Sequence, residues 1–395
     1  MKQGWEYKKL GEVCYPKNKI QRATKCFDAF DKILYIDISS IDNTIQKMTD
    51  ITSFIFSEAP SRAQQKVEYG DIIVSTVRPN LKNIAIIDRY ESNLVASSGF
   101  CILRNTEYIE RNFLFHYITS DLFTQHLMKL TTGANYPAVR DQDVRDSIIP
   151  LPPKPIQLAI VSELDKINEL IRLKKEQLKD YDNLAQSIFY EMFGDPVENE
   201  MGWEVKKLEE VCNITSSKRI FADEYTDKGI PFYRSKEVIE RSKGLPISVE
   251  LFISPERYSE IKEKFGIPVV GDILITAVGT IGKIWSIDTD EKFYFKDGNL
   301  VWLKDIDTSL INTIFFRRLL EYLIDEYKKI NANGAAYSAL TIAKIKLMQC
   351  PLPPLPLQQL FAQRIEQIER QKAEVQKTIT DLETLLASRM QYWFE

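Results

Sequence analysis

Apolar residues recur at helical spacing over a long stretch that begins near residue 155. Steps of four and three residues alternate through Ile160, Leu164, Ile167, Ile171, Leu178, Tyr181, Ala185 and Ile188. Lys174, between Ile171 and Leu178, occupies the one polar position of this pattern. This heptad spacing predicts a long helix that pairs along a coiled-coil seam. An ordinary amphipathic helix packed on its own domain would carry a similar stripe, so this stretch alone leaves both interpretations open.

A second stretch with the same spacing lies close to the C-terminus. With Lys372 at its polar position, it comprises Phe361, Ile365, Ile368, Val375, Ile379, Leu382 and Leu386. Each position follows its counterpart in the first stretch by 201 residues. The shared register predicts that the two helices pair with each other and that the whole chain is a repeat. Antiparallel pairing about the helix middles would place Ile171 near Ile379 and Lys174 near Val375.

The segments that open the two halves also repeat. Residues 4–14 read GWEYKKLGEVC, and residues 202–212 read GWEVKKLEEVC. A match of this length indicates a duplicated domain. Trp5, Leu10 and Val13 are expected to anchor the opening segment of the first domain to its core.

A strand, a helical stretch and a proline-rich segment then follow in the same order in each half. Gly-Asp precedes a β-branched apolar run at Gly70 and again at Gly271, which predicts a turn into a buried strand. Asp71 and Asp272 are therefore expected to be structural and not catalytic. Helical stretches are predicted over residues 112–130 and 313–330. The Pro-Leu-Pro-Pro segments at Pro150 and Pro351 end a strand and begin the long helices.

Two polar loops repeat within this framework. The first follows the buried strand, at residues 77–83 and 278–284, and the second has the form Gly-x-x-Tyr, at residues 133–136 and 334–337. Glycine lets a backbone approach a ligand closely, and Arg, Asn, Thr and Lys can contact phosphates or base edges. These loops are candidates for ligand contact, although plain hairpin loops would fit the same pattern.

Composition and charge narrow the class of protein. The chain is 44% hydrophobic and 27% charged, as expected of a globular protein. A net charge of −4 argues against a basic protein that coats nucleic acid, but it allows local basic loops. No apolar run approaches the roughly 18 residues of a membrane span. The five cysteines form no CxxC motif and are expected to be reduced, mostly buried thiols of a cytoplasmic protein.

The predicted fold class is α/β (α+β) with a pseudo-two-fold internal repeat. Two similar mixed α/β domains are predicted over residues 1–153 and 196–354. Two long antiparallel coiled-coil helices, over residues 154–195 and 355–395, separate and follow them. The linker around Gly194 and Pro196 closes the first helix.

This ordered and repeated set of motifs resembles the specificity subunit of type I restriction-modification systems, over essentially the whole chain. The resemblance rests on the Gly-Trp-Glu-x-Lys-Lys-Leu openings, the Gly-Asp-Ile strands, the Gly-x-x-Tyr loops and the Pro-Leu-Pro-Pro segments. The Met-Phe-Gly-Asp-Pro linker at residues 192–196 is also typical of the family. Each motif alone is weak, whereas the doubled set is specific.

The resemblance implies a non-catalytic, sequence-specific DNA-binding subunit with two target-recognition domains. Each would read half of a bipartite sequence in double-stranded DNA, while the long helices set the spacing. A helix over residues 157–189 would be roughly 50 Å long, comparable with the roughly 34 Å between half-sites one DNA turn apart. The implied partners are two methyltransferase subunits and, in some systems, restriction and translocase subunits. S-adenosylmethionine and ATP are expected on those partners, and this chain is expected to hold no cofactor.

The residues themselves agree with a non-catalytic chain. The sequence contains no Walker glycine-lysine loop and no Asn-Pro-Pro-(Tyr/Phe) methyltransferase motif. His116 and His126 are its only histidines, and neither has a cysteine neighbour at metal-ligand spacing, so no metal site is expected. Both histidines are expected to be packed or solvent-exposed side chains.

Candidate DNA contacts are placed in the polar loops and in residues 17–66 and 215–265, where the two halves diverge within a repeated framework. In the first domain they are Lys19, Arg22, Arg62, Arg78, Asn80, Lys82, Asn135, Tyr136 and Arg140. In the second domain they are Lys218, Arg219, Arg234, Lys236, Thr280, Lys283, Tyr337 and Ser338. For any single Lys or Arg among them, the competing interpretation is a solvated surface charge.

A coiled-coil scaffold whose end domains bind proteins is the alternative function. The acidic net charge favours a scaffold mildly, whereas donor-rich loops beside divergent regions favour DNA recognition. Co-purification with a methyltransferase and a sequence-dependent shift of DNA would separate the two hypotheses.

Overall fold

The structure is a computed structural model that describes residues 4–132, 136–331 and 339–395. The chain packs into two compact units. Unit 1 consists of Met1–Glu176 and Val375–Glu395, and unit 2 consists of Gln177–Glu374. Each unit therefore combines one domain with parts of both long helices.

The first domain is built around two sheets. Its strands are β1 (Glu6–Lys9), β2 (Lys32–Ile36), β3 (Ile41–Asp42), β4 (Lys47–Met48), β5 (Thr52–Ile55), β6 (Ala63–Lys66), β7 (Ile72–Ser75), β8 (Ile84–Ile86), β9 (Leu94–Ser97), β10 (Phe100–Leu103) and β11 (Ile148–Leu151). One sheet has the order β10-β7-β8 and the other β5-β2-β9-β6, while β1–β11 and β3–β4 form two-stranded ribbons. Every residue of β7 is buried, which explains its continuously apolar start.

The helices of the first domain precede the long helix. They are α1 (Leu10–Val13), α2 (Arg111–Thr119), α3 (Asp121–Leu130) and α4 (Asp141–Arg145), and the long helix is α5 (Lys154–Phe193). Helices α2 and α3 pack against β7 and β10 in the largest apolar cluster of unit 1. The same cluster contains Ile160 and Leu164 of α5 and Phe394 from the C-terminal segment.

The second domain also has two sheets and a two-stranded ribbon, but its strands differ in number and order. Its strands are β12 (Glu204–Lys207), β13 (Asn213–Thr215), β14 (Tyr225–Thr226), β15 (Ile230–Tyr233), β16 (Phe252–Ile253), β17 (Ile273–Thr276), β18 (Ile284–Ser286), β19 (Tyr294–Phe295), β20 (Leu300–Lys304) and β21 (Gln349–Leu352). The sheets have the orders β13-β20-β17-β18 and β14-β16-β15-β19, and β12 pairs with β21. The helices are α6 (Leu208–Val211), α7 (Ser235–Ser242), α8 (Pro255–Phe265), α9 (Thr313–Asn331), α10 (Ile342–Lys346) and α11 (Leu355–Phe394).

Topology is retained where the sequences of the two domains diverge. In the first domain β2 pairs in parallel with β9, and in the second β15 pairs in parallel with β19. Between β2 and β7 the first domain has short strands and turns, whereas the second has α7 and α8 between β15 and β17. The shared framework therefore supports different insertions.

One predicted element is wrong in detail, because the first domain has two helices where one stretch over residues 112–130 was predicted. Ser120 adopts an extended conformation (φ −66°, ψ 152°). Its hydroxyl accepts a hydrogen bond from the backbone N–H of Phe123 at 3.2 Å and so caps α3. In the second domain Glu321, a good helix former, lies in this region of the repeat, and α9 continues through it.

The two aspartates that follow the repeated glycines are structural, as predicted. Asp71 is 1% exposed and pairs with the Arg104 guanidinium at 2.7 Å. Asp272 accepts a hydrogen bond from the Trp302 indole N–H at 2.8 Å. Burial raises the pKa of Asp272, and the hydrogen bond from Trp302 opposes that shift. Each carboxylate also accepts the backbone N–H three residues earlier, which fixes the turn into the strand.

The long helices run antiparallel within unit 1. Lys175 of α5 pairs with Glu383 of α11 at 2.8 Å. Nearer the start of α5, Glu163 pairs with Arg389, close to the end of α11. Residue numbers thus fall along one helix as they rise along the other. The predicted antiparallel sense is confirmed.

Unit 2 has the same antiparallel sense, since Asp182 of α5 pairs with Lys372 of α11 at 2.7 Å, and Met192, nearer the end of α5, lies 3.9 Å from Arg364, nearer the start of α11. Most predicted seam residues are buried: Ile160, Leu164, Ile167, Ile171, Phe361, Ile365, Ile368, Val375 and Ile379. Leu178 and Leu382 are half-buried. Which of these side chains contact each other across the seam stays a prediction.

The opening segment of unit 1 anchors to the core as predicted. Leu10 and Val13 are buried. The half-buried Trp5 ring lies parallel to that of Trp393, with centroids 6.3 Å apart. The cysteines are free thiols, and all but Cys26 are buried, which confirms that most of them are buried.

Candidate nucleic-acid interface

Two loops that the sequence singled out meet in unit 1. The backbone N–H of Arg78 donates to the Pro137 carbonyl at 2.7 Å, and that of Val139 donates to the Thr76 carbonyl at 2.9 Å. The Arg78 guanidinium lies 4.5 Å from the centre of the Tyr136 ring. The loop after β7 and the segment before α4 therefore form one surface.

The backbone of the first loop is strained at two non-glycine residues. Arg78 and Lys82 adopt left-handed conformations, with φ of 50° and 49°, on either side of the Pro79–Leu81 turn. Such conformations cost on the order of 1 kcal/mol each and concentrate at functional sites. At one of these two positions, the Arg78 side chain stacks on Tyr136, and this stacking restricts its motion.

Further hydrogen bonds connect this loop pair to the divergent region. The Thr76 N–H donates to the Gly99 carbonyl at 2.9 Å, and the Ser98 N–H donates to the Arg62 carbonyl at 2.8 Å. Arg22 forms a β-bridge with Gln65, whose side-chain amide donates to the carbonyls of β9–β10. The edge formed by Lys19, Arg22, Arg62, Arg78 and Tyr136 is called the cationic edge of unit 1.

Ion pairs separate the predicted cations of unit 1 into two groups. Lys82 pairs with Asp121 at 2.6 Å, and Arg140 pairs with Asp143 at 2.7 Å. The hydrogen bond from Arg140 lowers the pKa of Asp143. Across the described part of the chain, no carboxylate pairs with the four cations of the cationic edge. These four are therefore the candidates for contact with an external anion.

The second domain repeats the loop junction. The Leu340 N–H donates to the Ala277 carbonyl at 3.1 Å, and the Ala277 N–H donates to the Asn299 carbonyl at 2.8 Å. Ala277 and Leu340 each lie 201 residues after Thr76 and Val139. Thus the same backbone contacts join the same loops in both domains, although the side chains differ.

The loop after β17 is held by a threonine and a glycine. The Thr276 hydroxyl donates to the Thr280 carbonyl at 2.5 Å and accepts the Lys283 N–H at 2.9 Å. Gly282 has φ of +79°, and a Cβ there would lie 2.4 Å from Ile324 of α9. Only glycine fits that position. Thr280 and Lys283 are exposed on this loop.

The predicted cations of unit 2 also divide into paired and unpaired residues. Arg219 pairs with Asp297 at 2.8 Å, while Arg234 and Lys236 both pair with Glu250, at 2.9 and 3.3 Å. Arg234 also pairs with the buried Glu237, and the hydrogen bond that the Arg234 guanidinium donates to that carboxylate raises the pKa of Arg234. Lys218 and Lys283 have no carboxylate partner in the described ranges.

Three further candidates cannot be placed, because Asn135, Tyr337 and Ser338 lie outside the described residues. Asn80 is exposed in the turn after Arg78. The assignment of all these side chains to DNA contact stays a prediction.

Two exposed lysines beside the cationic edge were missed. Lys17 and Lys25 lie in residues 17–25, which contain four cations and no acidic residue. Lys17 lies 3.5 Å from Asp141, next to Arg140, so this basic segment adjoins the Tyr136 loop. The net charge of the whole chain does not reveal this basic segment, whereas the net charge of short stretches of sequence does.

The described residues offer neither a metal site nor a membrane-spanning helix. Across residues 4–132, 136–331 and 339–395, no cluster of three or more His, Cys, Asp or Glu side chains is arranged to hold a metal ion. His116, buried in unit 1, lies 2.7 Å from Asp165 of α5. In the same part of the chain, every helix is too short or too polar to cross a membrane.

Comparison with known proteins agrees with this duplicated architecture. The family model described as type I restriction modification DNA specificity domain matches twice, over residues 2–180 and 200–384. The chain therefore belongs to the type I restriction-modification DNA specificity family.

Individual relatives carry related names. A Haemophilus influenzae protein provisionally named as a type I restriction enzyme specificity subunit is 28% identical over 69% of this chain and 68% of its own length. The MjaIX type I restriction enzyme specificity subunit of Methanocaldococcus jannaschii is 24% identical over 79% of this chain and 74% of its own length. A solved chain from a study of complex assembly and conformational transition in the type I restriction-modification system is 29% identical. It covers 100% of this chain and 98% of its own length, with a TM-score of 0.68.

Proposed function

We propose that this chain is the DNA-reading subunit of a type I restriction-modification complex. Each recognition domain reads one half of a bipartite target in double-stranded DNA. The chain performs no chemistry itself, and partner subunits in the cytoplasm supply the S-adenosylmethionine-dependent and ATP-dependent steps. The observation that carries the proposal is the repeated junction of two loops, which keeps its backbone contacts in both domains while its side chains change.

That combination is what reading two different half-sites requires. A shared framework holds equivalent loops in the same place, and different side chains on those loops present different donors and acceptors to the bases. The unpaired cations of the cationic edge suit phosphate contact or bidentate contact with guanine. The chain as a whole is acidic, which suits a protein that binds DNA through local surfaces.

The long helices provide the spacing in this proposal. Each contains 40 residues, which corresponds to about 60 Å at 1.5 Å per residue. A paired helix of this length is stiff enough to fix the distance between two recognition elements. The gap between the half-sites is therefore a property of the helices, and the base sequence of each half-site is a property of its domain.

A domain exchange tests this division of labour. We expect adenine methylation in one bipartite motif with a fixed gap when the chain is expressed with its cognate methyltransferase. Replacing residues 1–153 by the corresponding domain of a relative should change one half-site and leave the other half-site unchanged. Single-molecule sequencing of host DNA measures both. An active methyltransferase complex that gives no new motif would contradict the proposal and favour a protein-binding scaffold.

The proposal that two methyltransferase subunits bind is supported by an exposed leucine that recurs at the same repeat position in both long helices. Leu184 of α5 and Leu385 of α11 are 201 residues apart and are 46% and 45% exposed. Leu184 belongs to unit 2 and Leu385 to unit 1. A partner that binds twice must find the same residue on each repeat, and an exposed leucine on a paired helix suits an apolar contact.

We expect Leu184→Asp and Leu385→Asp each to remove one methyltransferase subunit, because a carboxylate buried in an apolar contact has no partner. The double variant should bind none. Native mass spectrometry of the purified complexes gives the stoichiometry. Gln186→Asp and Ala387→Asp are matched controls, since they add the same charge on the opposite flank of the seam. If both leucine variants keep two methyltransferases, docking occurs elsewhere.

A further inference from the structure

A buried glutamine lies at the start of each long helix. Gln157 of α5 is 1% exposed, and Gln358 of α11 is fully buried. They are 201 residues apart and therefore occupy the same position of the repeat. A fully buried polar side chain is stable only where its donors and acceptors have hydrogen-bond partners. The side-chain amides of both glutamines have such partners, and the two arrangements are the same.

Gln157 joins three segments of unit 1. Its side-chain oxygen accepts the backbone N–H of Glu110 at 2.7 Å. Its side-chain nitrogen donates to the carbonyls of Pro152 at 2.8 Å and Tyr108 at 3.1 Å. Both amide protons are used, so the orientation of the amide is determined. The side chain thus connects the first turn of α5, the end of β11 and the start of α2.

Gln358 repeats these bonds in unit 2. Its oxygen accepts the N–H of Asn312 at 2.8 Å, and its nitrogen donates to the carbonyls of Pro353 at 2.7 Å and Leu310 at 3.1 Å. The three distances agree with those of Gln157 to within 0.1 Å. The partners Glu110 and Asn312 differ in type, but each contributes its backbone N–H, which any residue except proline would provide.

The same partner residues also cap helix α2 of the first domain and helix α9 of the second. The Glu110 carboxylate accepts the N–H groups of Asn112 and Phe113, at 2.6 and 3.1 Å. The Asn312 side chain accepts those of Ile314 and Phe315, at 3.0 and 3.2 Å. Each glutamine is therefore fixed to the rigid start of a domain helix and not to a loose loop.

In both units the long helix packs on the domain core, through Ile160 and Leu164 in unit 1 and through Phe361 and Ile365 in unit 2, and the glutamine bonds add directional contacts at its first turn. A Pro-Pro pair connects the last strand to the helix, and prolines donate no backbone hydrogen bond that could fix the turn. We infer that Gln157 and Gln358 are positioning residues that set the angle between each recognition domain and its own long helix. The inference rests on the proposed function, under which that angle determines which gap between half-sites the protein accepts.

Gap selectivity tests the inference. Methylation rates are measured for the assembled methyltransferase complex on DNA with both cognate half-sites, at the cognate gap and at gaps one base pair shorter and longer. With Gln358→Met, which keeps side-chain length but has no amide, we expect the preference for the cognate gap to fall about tenfold, since the bonds that hold the angle are lost. Gln157→Met should reduce the preference for the cognate gap to a similar extent. Gln359→Met, at the exposed neighbouring position, should retain the wild-type preference.

The outcomes separate this inference from the function on which it rests. A Gln358→Met complex that melts at a lower temperature but keeps full gap selectivity would overturn the positioning role and leave DNA reading intact. Wild-type protein that methylates without any gap preference would overturn both. If Gln358→Met does not fold, Gln358→Asn keeps the amide but is one methylene too short to reach all three partners. Unchanged selectivity in that variant would equally reject the inference.

Discussion

Replacing Phe394 by alanine is expected to lower the free energy of unfolding of unit 1 by about 3–5 kcal/mol. Phe394 is 3% exposed, and its ring lies 5.4 Å from that of Phe113 and 5.5 Å from that of Tyr117. It is the last residue of α11, yet it fills the core of the first domain. Truncation would leave a cavity between α2 and the C-terminal helix that neighbouring rings cannot fill.

Amide hydrogen exchange followed by mass spectrometry locates this effect. In Phe394→Ala, peptides from α2 should exchange faster, while peptides from α9 in unit 2 should exchange as in the wild type. Phe30→Ala is the matched control, because Phe30 is 89% exposed in the same unit and its loss should change stability by no more than about 0.5 kcal/mol. Unaltered exchange in α2 would mean that Phe394 does not stabilise the domain.

The sequence predicted the framework well because the framework depends on local patterns. Heptad spacing, the turn before β7 and the Pro-Pro segment each specify structure within a few residues. Their recurrence at one offset then identified the duplication, which is why the antiparallel helices and the repeated loops were predicted. Burial of a continuous apolar run such as β7 follows directly from its composition.

The charges of the site could not be predicted in the same way. Lys82 and Arg78 look alike in the sequence, but Lys82 pairs with Asp121, which lies 39 residues further along the chain. Arg234 likewise meets Glu250 across a region where the two domains share no pattern. Pairing between distant residues depends on the tertiary fold, so the sequence alone does not show which cations have a carboxylate partner.

The glutamines at the start of the long helices were missed for a different reason. Gln157 and Gln358 continue the register of the seam, three residues before Ile160 and Phe361, but they are polar, so a pattern of apolar residues begins only after them. Their identity at equivalent repeat positions was a usable signal, because neighbouring pairs such as Leu158 and Gln359 differ. The break at Ser120 was missed because a single capping serine interrupts an otherwise continuous apolar pattern.

Among the cations of the cationic edge, Arg78 is expected to contribute most to sequence discrimination. Arg78→Ala should weaken specific binding by roughly 1–3 kcal/mol and relax one position of the first half-site. The reason is preorganisation: its guanidinium is stacked on Tyr136 and lacks a carboxylate partner in the described residues, so little of its binding energy is spent on ordering or on breaking an ion pair. Arg140, paired with Asp143 at 2.7 Å, is the matched control and should have a much smaller effect.

Arg78→Lys distinguishes reading a base from neutralising a phosphate. Lysine keeps the charge but lacks the planar fork that binds guanine through two hydrogen bonds. Affinities of the methyltransferase complex for DNAs with each base of the half-site changed in turn give the sequence profile. If Arg78 reads a base, Arg78→Lys should relax the same position as Arg78→Ala. If it contacts a phosphate, lysine should restore affinity without altering the profile, and the salt dependence of binding should decrease only in the alanine variant. Unchanged affinity and profile in Arg78→Ala would remove Arg78 from the interface, leaving Arg22 and Arg62 as the arginines of the cationic edge that can contact DNA.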